Sequence, residues 1–320
     1  LSAEGKELVA YTPYRRGQKQ PIKVRPPVKR PAEYQTVEEL YINGFHLEQY
    51  KQHNYKPEDY YTEGLRRDPG DIRCNTSMAR LALKNGRFKE SLAYSNKAIE
   101  RLTDRNEHPA DTEAFYLKGL ALEFLGRYNE AYNILYRAAW NYPHRSAALF
   151  ELACLDCRNG DYPAALEKLE ESIGLNKGHT KAHNLKTAVL RKLGSPSAAQ
   201  SAKDGVNDDL LDLFALIEYT HFEDVTAKIA PFAAKAENLL DVARDYMKAG
   251  FLKDAEFALS FAEQSHPLVN YYLAYLTGRE DYLTKAEQAE TGYCFPADLA
   301  DIVVLQYAAE RPNSANANYY

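Results

Sequence analysis

Three stretches decide the fold: Gly126-Arg-Tyr-Asn-Glu-Ala-Tyr132, Gly160-Asp-Tyr-Pro-Ala-Ala-Leu166 and Gly194-Ser-Pro-Ser-Ala-Ala-Gln200. They align with one another, and their glycines stand 34 and 34 residues apart. Gly86-Arg-Phe-Lys-Glu-Ser-Leu92 carries the same element 40 residues earlier, the extra six falling in the polar loop around Thr103–Pro109. Gly250-Phe-Leu-Lys-Asp-Ala-Glu256 carries it again 56 residues after Gly194, one period plus 22. A fixed period of this length signals stacked supersecondary units rather than one globular core. Within residues 112–143, Phe115, Gly119 and Leu122 recur at helical spacing as one apolar stripe. Gly126 ends that helix, because a residue without Cβ adopts left-handed backbone. A second helix is expected with Tyr128, Ala131, Leu135 and Ala138 on its inner face and Pro143 closing it. Gly119 and Ala131 are small enough to let the two antiparallel helices approach. One such pair cannot bury its own stripe, so it must stack on the next.

The pattern resembles the tetratricopeptide repeat, a 34-residue helix–turn–helix with the signature W-x2-L-G-x2-Y, then A-x3-F, then a closing Pro. In residues 112–143, Phe115 stands for Trp, Lys118 for Leu and Leu122 for Tyr. Residues 146–177 match through Leu149, Ala153, Gly160, Tyr162, Ala165 and Leu169, and residues 236–267 through Leu239, Ala243, Tyr246, Gly250, Ala255, Leu259, Ala262 and Pro267. Residues 72–103 fit through Ala79, Gly86, Phe88 and Ala98, and residues 37–69 read as a first unit with one extra residue. Residues 180–206 are degenerate, with Thr187, Pro196 and Lys203 at usually apolar or small places. The resemblance implies an all-α, right-handed solenoid of stacked antiparallel helix pairs, preceded by an extended Pro-rich segment. Four regions follow: a strand remnant and linker (1–35), the array (36–207), an irregular helical pair (208–235), and a further unit with irregular helices and the start of another repeat (236–320).

The phrases TVEELYINGFHLEQY (36–50) and YYTEGLRRDPGD (60–71) are also similar to a bacterial protein group. In that group a mutarotase-like β-sandwich of unknown function, with a carbohydrate connection, precedes a long repeat array. Leu8, Val9 and Tyr11 suit a short strand. Residues 13–31 then hold five of the 15 prolines and seven Lys or Arg, with no acid between Glu7 and Glu33. Proline fixes φ and removes amide donors, so this stretch is expected to be a stiff connector lying along acidic neighbours. Leu1-Ser-Ala-Glu-Gly-Lys6 has charge where a signal peptide needs an apolar run. Both ends read as cut, so the chain is expected to be a segment of a longer polypeptide.

The 320 residues carry 40 Lys+Arg against 45 Asp+Glu, with 45% apolar types and a mean hydropathy of −0.55. That balance excludes wholesale disorder, and no apolar run reaches the roughly 20 residues of a bilayer crossing. Beyond residue 32 there are 32 basic and 43 acidic residues, which argues against nucleic acid as a partner. A soluble, cytoplasmic setting is favoured.

Chemistry-bearing motifs are sparse. Cys154-Leu-Asp-Cys157 is a CxxC, but it sits within a helix and lacks a second ligand pair, so packed thiols are expected rather than zinc or redox work. The eight histidines do not cluster, and no GxGxxG, P-loop or GxSxG occurs. No catalytic residue, cofactor or metal is expected. The 25 tyrosines are read mainly as core filling.

In the family that this chain resembles, the first helix of each unit lines a concave groove. Projecting that register gives Arg73, Thr76 and Arg80; Tyr116, Leu120 and Glu123; Phe150, Cys154 and Cys157; and Lys181, Asn184 and Arg191. Aromatic groups flanked by Arg and Lys suit an extended protein segment bearing carboxylates. The expected function is non-catalytic protein interaction or scaffolding through this groove. The alternative is an accessory repeat domain of a carbohydrate-active protein, with carbohydrate reached through a neighbouring domain. Free groove cations would allow Arg80→Glu/Arg191→Glu to abolish partner capture while leaving helicity intact.

Overall fold

Every repeat glycine ends a helix in left-handed backbone: φ is 69° at Gly86, 71° at Gly126, 78° at Gly160, 64° at Gly194 and 76° at Gly250. In each case the following amide donates to the carbonyl five residues back, as from Arg127 to Leu122 and from Asp161 to Asp156, both at 2.9 Å. That bond closes a Schellman turn and reverses the chain. Gly278, at φ 70°, makes a further stop that the 34-residue period does not predict.

In this computed structural model the described residues are 2–13, 27–50, 54–292, 294–312 and 314–320. Most of the basic proline-rich stretch, Tyr14 to Pro26, lies outside them. Among the described residues the helices form nine consecutive pairs. They are α1 (Val37–Tyr50) with α2 (Pro57–Arg67), α3 (Ile72–Lys84) with α4 (Phe88–Thr103), and α5 (Glu113–Phe124) with α6 (Tyr128–Ala138). Next come α7 (Tyr142–Asn159) with α8 (Tyr162–Leu175), α9 (Thr180–Lys192) with α10 (Ala198–Asp208), and α11 (Leu213–Thr220) with α12 (Thr226–Ala233). The last are α13 (Ala236–Lys248) with α14 (Leu252–Leu259), α15 (Pro267–Thr277) with α16 (Glu280–Gln288), and α17 (Leu299–Ala309) with α18 (Ala315–Tyr319). The fold is an all-α solenoid. Among the described residues, no helix is long and apolar enough to cross a membrane.

The α5–α6 pair shows why the pattern folds this way. A Cβ on Gly119 would fall 2.5 Å from Leu135, so only glycine permits this approach. Phe115, Leu122, Ala131, Leu135 and Ala138 are all buried, and they share a cluster with Ala148, Leu149 and Leu152 of the next helix. Tyr128 departs from expectation. It is 39% exposed and faces outward, its ring 4.3 Å below the Arg158 guanidinium. Pro143 falls in the first turn of α7 rather than closing α6, a position where its missing N–H costs nothing.

At the N-terminus, β1 (Ser2–Ala3) and β2 (Lys6–Glu7) form a small antiparallel hairpin with Ser2 opposite Glu7. Leu8, Val9 and Tyr11, expected in a strand, follow the ladder and are exposed. The turn at Glu4-Gly5, both at positive φ, sets a register that ends at Glu7. Further on, the connector docks on the first pair. Val28 packs with Leu40, Leu47 and Tyr60, and the Tyr60 hydroxyl donates to the Lys29 carbonyl at 2.8 Å.

First helices also touch the first helices of adjacent pairs (α1 with α3, α3 with α5, α5 with α7, α9 with α11, α11 with α13). They therefore form the inner layer of the curve. The curve is tight enough that the later pairs return to the earlier ones. Ile302 of α17 reaches the Gly86 turn, and Leu299 and Ile302 pack with Leu83, Phe88 and Phe124.

Candidate interaction surface

The concave face is built from one side of α3, α5, α7 and α9, and α13 lies against its middle. Lys248, at the end of α13, places Nζ 2.6 Å and 2.5 Å from the two carboxylate oxygens of Glu151 and 5.6 Å from the centre of the Phe150 ring. Arg158 of α7 donates to the carbonyls of Met247 (2.8 Å) and Lys248 (3.3 Å), satisfying the open end of α13. Lys181 of α9 pairs with Asp245 at 2.6 Å. Lys192 reaches Asp254 at 2.6 Å and sits 5.0 Å over the Phe251 ring, which meets Tyr162 edge-on. The middle of the surface that the resemblance assigns to a ligand is thus occupied from within the chain.

The projected groove residues divide accordingly. Tyr116, Glu123, Phe150 and Cys154 lie at the seam under Lys248: the Tyr116 hydroxyl donates to Glu151 at 3.4 Å, and Phe150 and Cys154 are buried. Burial and the neighbouring carboxylates raise the Tyr116 hydroxyl well above its ordinary range. Lys181, Asn184 and Arg191 hold the later helices. Asn184 donates to one Asp212 oxygen at 2.8 Å while the other caps α11 by accepting from the Ala215 amide. Arg191 makes a bidentate pair with the fully buried Glu218 (2.7 and 2.8 Å) and reaches Asp254 at 2.7 Å. The Tyr246 hydroxyl donates to the same Glu218 at 2.6 Å, completing a buried network across α9, α11, α13 and α14. Arg191 is therefore structural, and reversing its charge would bring two buried acids against a third. The expectation that Arg80→Glu/Arg191→Glu spares the fold is corrected on that ground.

Arg73, Thr76 and Arg80 lie on α3, outside the α13 seam. Thr76 is buried and its hydroxyl donates to the Ile72 carbonyl. Arg73 remains 41% exposed, pairs with Glu38 and lies 4.7 Å over the Tyr41 ring. Arg80 grips Glu48 of α1 (3.0 and 3.1 Å) and Glu113 of α5, and lies 5.9 Å from the Phe45 ring. Burial works to raise the Glu48 carboxyl, but Arg80 and Lys84 outweigh it and hold the group below its ordinary value. Tyr41 and Phe45 stack at 5.8 Å. This half-buried aromatic and arginine cluster forms the mouth of the concave face.

The CxxC thiols are packed side chains: Cys154 and Cys157 are buried in α7, and burial pushes Cys157 up to about 12 and Cys154 well above its ordinary value. Nucleophilic or metal-binding sulfur must be thiolate, which this setting opposes.

Inner helices joined by glycine-ended turns to outer helices, repeated along one curve, decide the architecture. The fold is a tetratricopeptide-type solenoid. No protein-family model matches the chain. The solved tetratricopeptide repeat protein from Parabacteroides merdae is similar at 12% identity and a TM-score of 0.50, over 86% of this chain and 93% of that one. Pseudomonas aeruginosa pilF is similar at 17% identity and TM-score 0.47, over 78% and 95%. YrrB, a TPR protein with an unusual peptide-binding site, is similar at 18% and 0.46, over 55% and 88%. At 12% identity the Parabacteroides merdae likeness bears on the fold alone.

Sequence reasoning missed the residues that make the solenoid close, namely Lys248, Asp245 and Arg158. Their contacts span 64 to 97 positions, which a 34-residue period does not encode. The weak signal was the 22-residue interruption before Gly250.

Proposed function

We propose that this solenoid is a non-catalytic scaffold that binds a protein segment. The observation that carries the reading is the mouth of the concave face, where Tyr41 and Phe45 stack and Arg73 stays half-exposed above them. A rigid aromatic pair beside an arginine suits a segment with an apolar side chain and a carboxylate. The middle of the groove is taken by α13, so the mouth is the part that offers anchors while the solenoid is closed. The test is affinity capture from the native lysate with the full chain beside Tyr41→Ala/Arg73→Glu. The expected result is a co-captured protein lost from the variant at unchanged helicity. Identical capture by both chains overturns the mouth as the site.

A second reading, an accessory repeat domain of a carbohydrate-active protein, is favoured by the N-terminal β-hairpin ahead of the docked connector. Glycan-array binding by the full chain supports that reading, and a blank array counts against glycan contact by this segment.

A further inference from the structure

Between Gly86 and Gly126 the repeat runs to 40 residues instead of 34, and the extra length falls in the loop from α4 to α5. That loop is fastened to the end of the outer helix α6. The Arg137 guanidinium donates to the Glu107 carbonyl at 3.1 Å, the Asn141 side-chain amide to the Pro109 carbonyl at 2.6 Å, and the Thr112 hydroxyl to the Ala138 carbonyl at 3.1 Å. Between loop and helix end lies an open cavity of about 450 Å³, lined by Thr103, Glu107, His108, Arg137 and Trp140. Glu107 and His108 belong to the inserted stretch, so a repeat of regular length would not have this cavity. An insertion held by a rigid array is a common seat of recognition.

The lining has one broad apolar surface, and it is a ring face. Trp140, the single tryptophan of the chain, is 46% exposed. The His108 ring packs against it at 4.8 Å, and the Arg137 guanidinium stands 5.9 Å from its centre while lying 4.6 Å over Phe115. Beside the ring are the Glu107 carboxylate and the Thr103 hydroxyl, whose proton goes to the Ile99 carbonyl at 2.8 Å and leaves its oxygen free to accept. Neither Glu107 nor Arg137 is ion-paired among the described residues, and their formal charges cancel. An anion in the cavity would meet Glu107 and a cation would meet Arg137, so neither is selected. The walls are too polar to take up a leucine or phenylalanine anchor of a peptide. What remains on offer is one flat apolar face ringed by hydrogen-bond donors and acceptors.

We propose that this cavity binds a neutral oligosaccharide, with one pyranose seated on Trp140 and its hydroxyls held by Glu107 and Arg137. A pyranose has the complementary surface, C–H groups on one face and hydroxyls round its edge, and an aromatic ring is the side chain that meets both. The guanidinium donates and the carboxylate accepts, so a pair of neighbouring hydroxyls can be gripped from both sides. Tyr136, one turn before Trp140, and Tyr142, two positions after it, also leave their rings exposed. Further ring faces close by suit a chain of sugars better than a single one. A sugar site here deepens the second reading above and rests on it for its biological setting. It lies on the outer helices, apart from the mouth of the concave face.

Because Trp140 is the only tryptophan, its emission reports on this cavity alone. The experiment titrates the full chain with maltohexaose, cellohexaose and xylohexaose, with trigalacturonate as the anionic control, beside a glycan-array profile of the same chain. The expected result is a blue shift of the emission and weaker acrylamide quenching with at least one neutral probe, as the sugar covers the exposed ring. By calorimetry Trp140→Ala should bind that probe about tenfold more weakly. Glu107→Ala, at an exposed loop position, should weaken it about three- to tenfold, and it decides the matter if the first variant fails to fold. Emission unmoved by every neutral probe overturns the site, and so does tighter binding of trigalacturonate. An array signal that survives both substitutions overturns the site and leaves the second reading standing. A blank array overturns the site and glycan contact by this segment together.

Discussion

The α7–α8 pair and the α9–α10 pair start from one template and end differently. Seven residues before its turn glycine the first has Ala153, and nine after it has Leu169, both fully buried. The second has Thr187 and Lys203 at those places, and Lys203 is exposed. Thr187 turns to hydrogen-bond the Ser201 hydroxyl at 2.7 Å. The inner face of α10 is made instead by Ala198, Ala202 and Val206, and an open cleft of about 600 Å³ runs beside the pair, lined by Thr180, Asn184, Thr187, Ser201 and Asp212 among others. The second pair is also held from the side, by Arg191 on Glu218 and Asp254. A repeat can rebuild its interior from small residues, here Ala188, Ala198, Ala202 and Val206, and take ionic anchors from its neighbours as well.

That contrast can be broken at several points. The largest effect belongs to Arg191→Ala, which strands Glu218 in the interior and should cost about 3–5 kcal/mol in urea unfolding. A loss below about 1 kcal/mol would show the network to be incidental. Leu169→Ala should cost about 2–5 kcal/mol by opening a cavity in the regular pair. Lys203→Ala, at the equivalent place, should lie within about 0.5 kcal/mol of the parent. Equal losses at the two sites would erase the comparison. Gly126→Val should cost about 1–3 kcal/mol from backbone strain alone, because a Cβ there meets nothing within 4 Å. An unchanged melting curve would contradict it.

The turns and inner stripes were legible because each is local. Gly126 fixes a reversal whatever its surroundings, and Phe115, Leu122 and Leu135 declare one face by spacing. The degenerate unit was legible too, as Thr187 and Lys203 in the wrong chemical class. The concave face was harder to read. Register placed Phe150 and Cys154 on the inner layer, but whether that layer meets water or another helix depends on curvature, which sums small rotations over several pairs. Glu151 looks like any solvated helix carboxylate until Lys248, 97 positions on, is seen beside it. Arg191 looked like a ligand anchor for the same reason.

The bridge from Lys248 to Glu151 also bears on how the chain folds. A linear array of hairpins can fray from either end, each unit melting nearly independently of distant ones. Tying α13 to α7 places a long loop between two contacting segments, so its entropy must be lost before the contact forms. Hairpin assembly should therefore come early and the tie late, and the parts it joins should melt together in one transition rather than as a staircase.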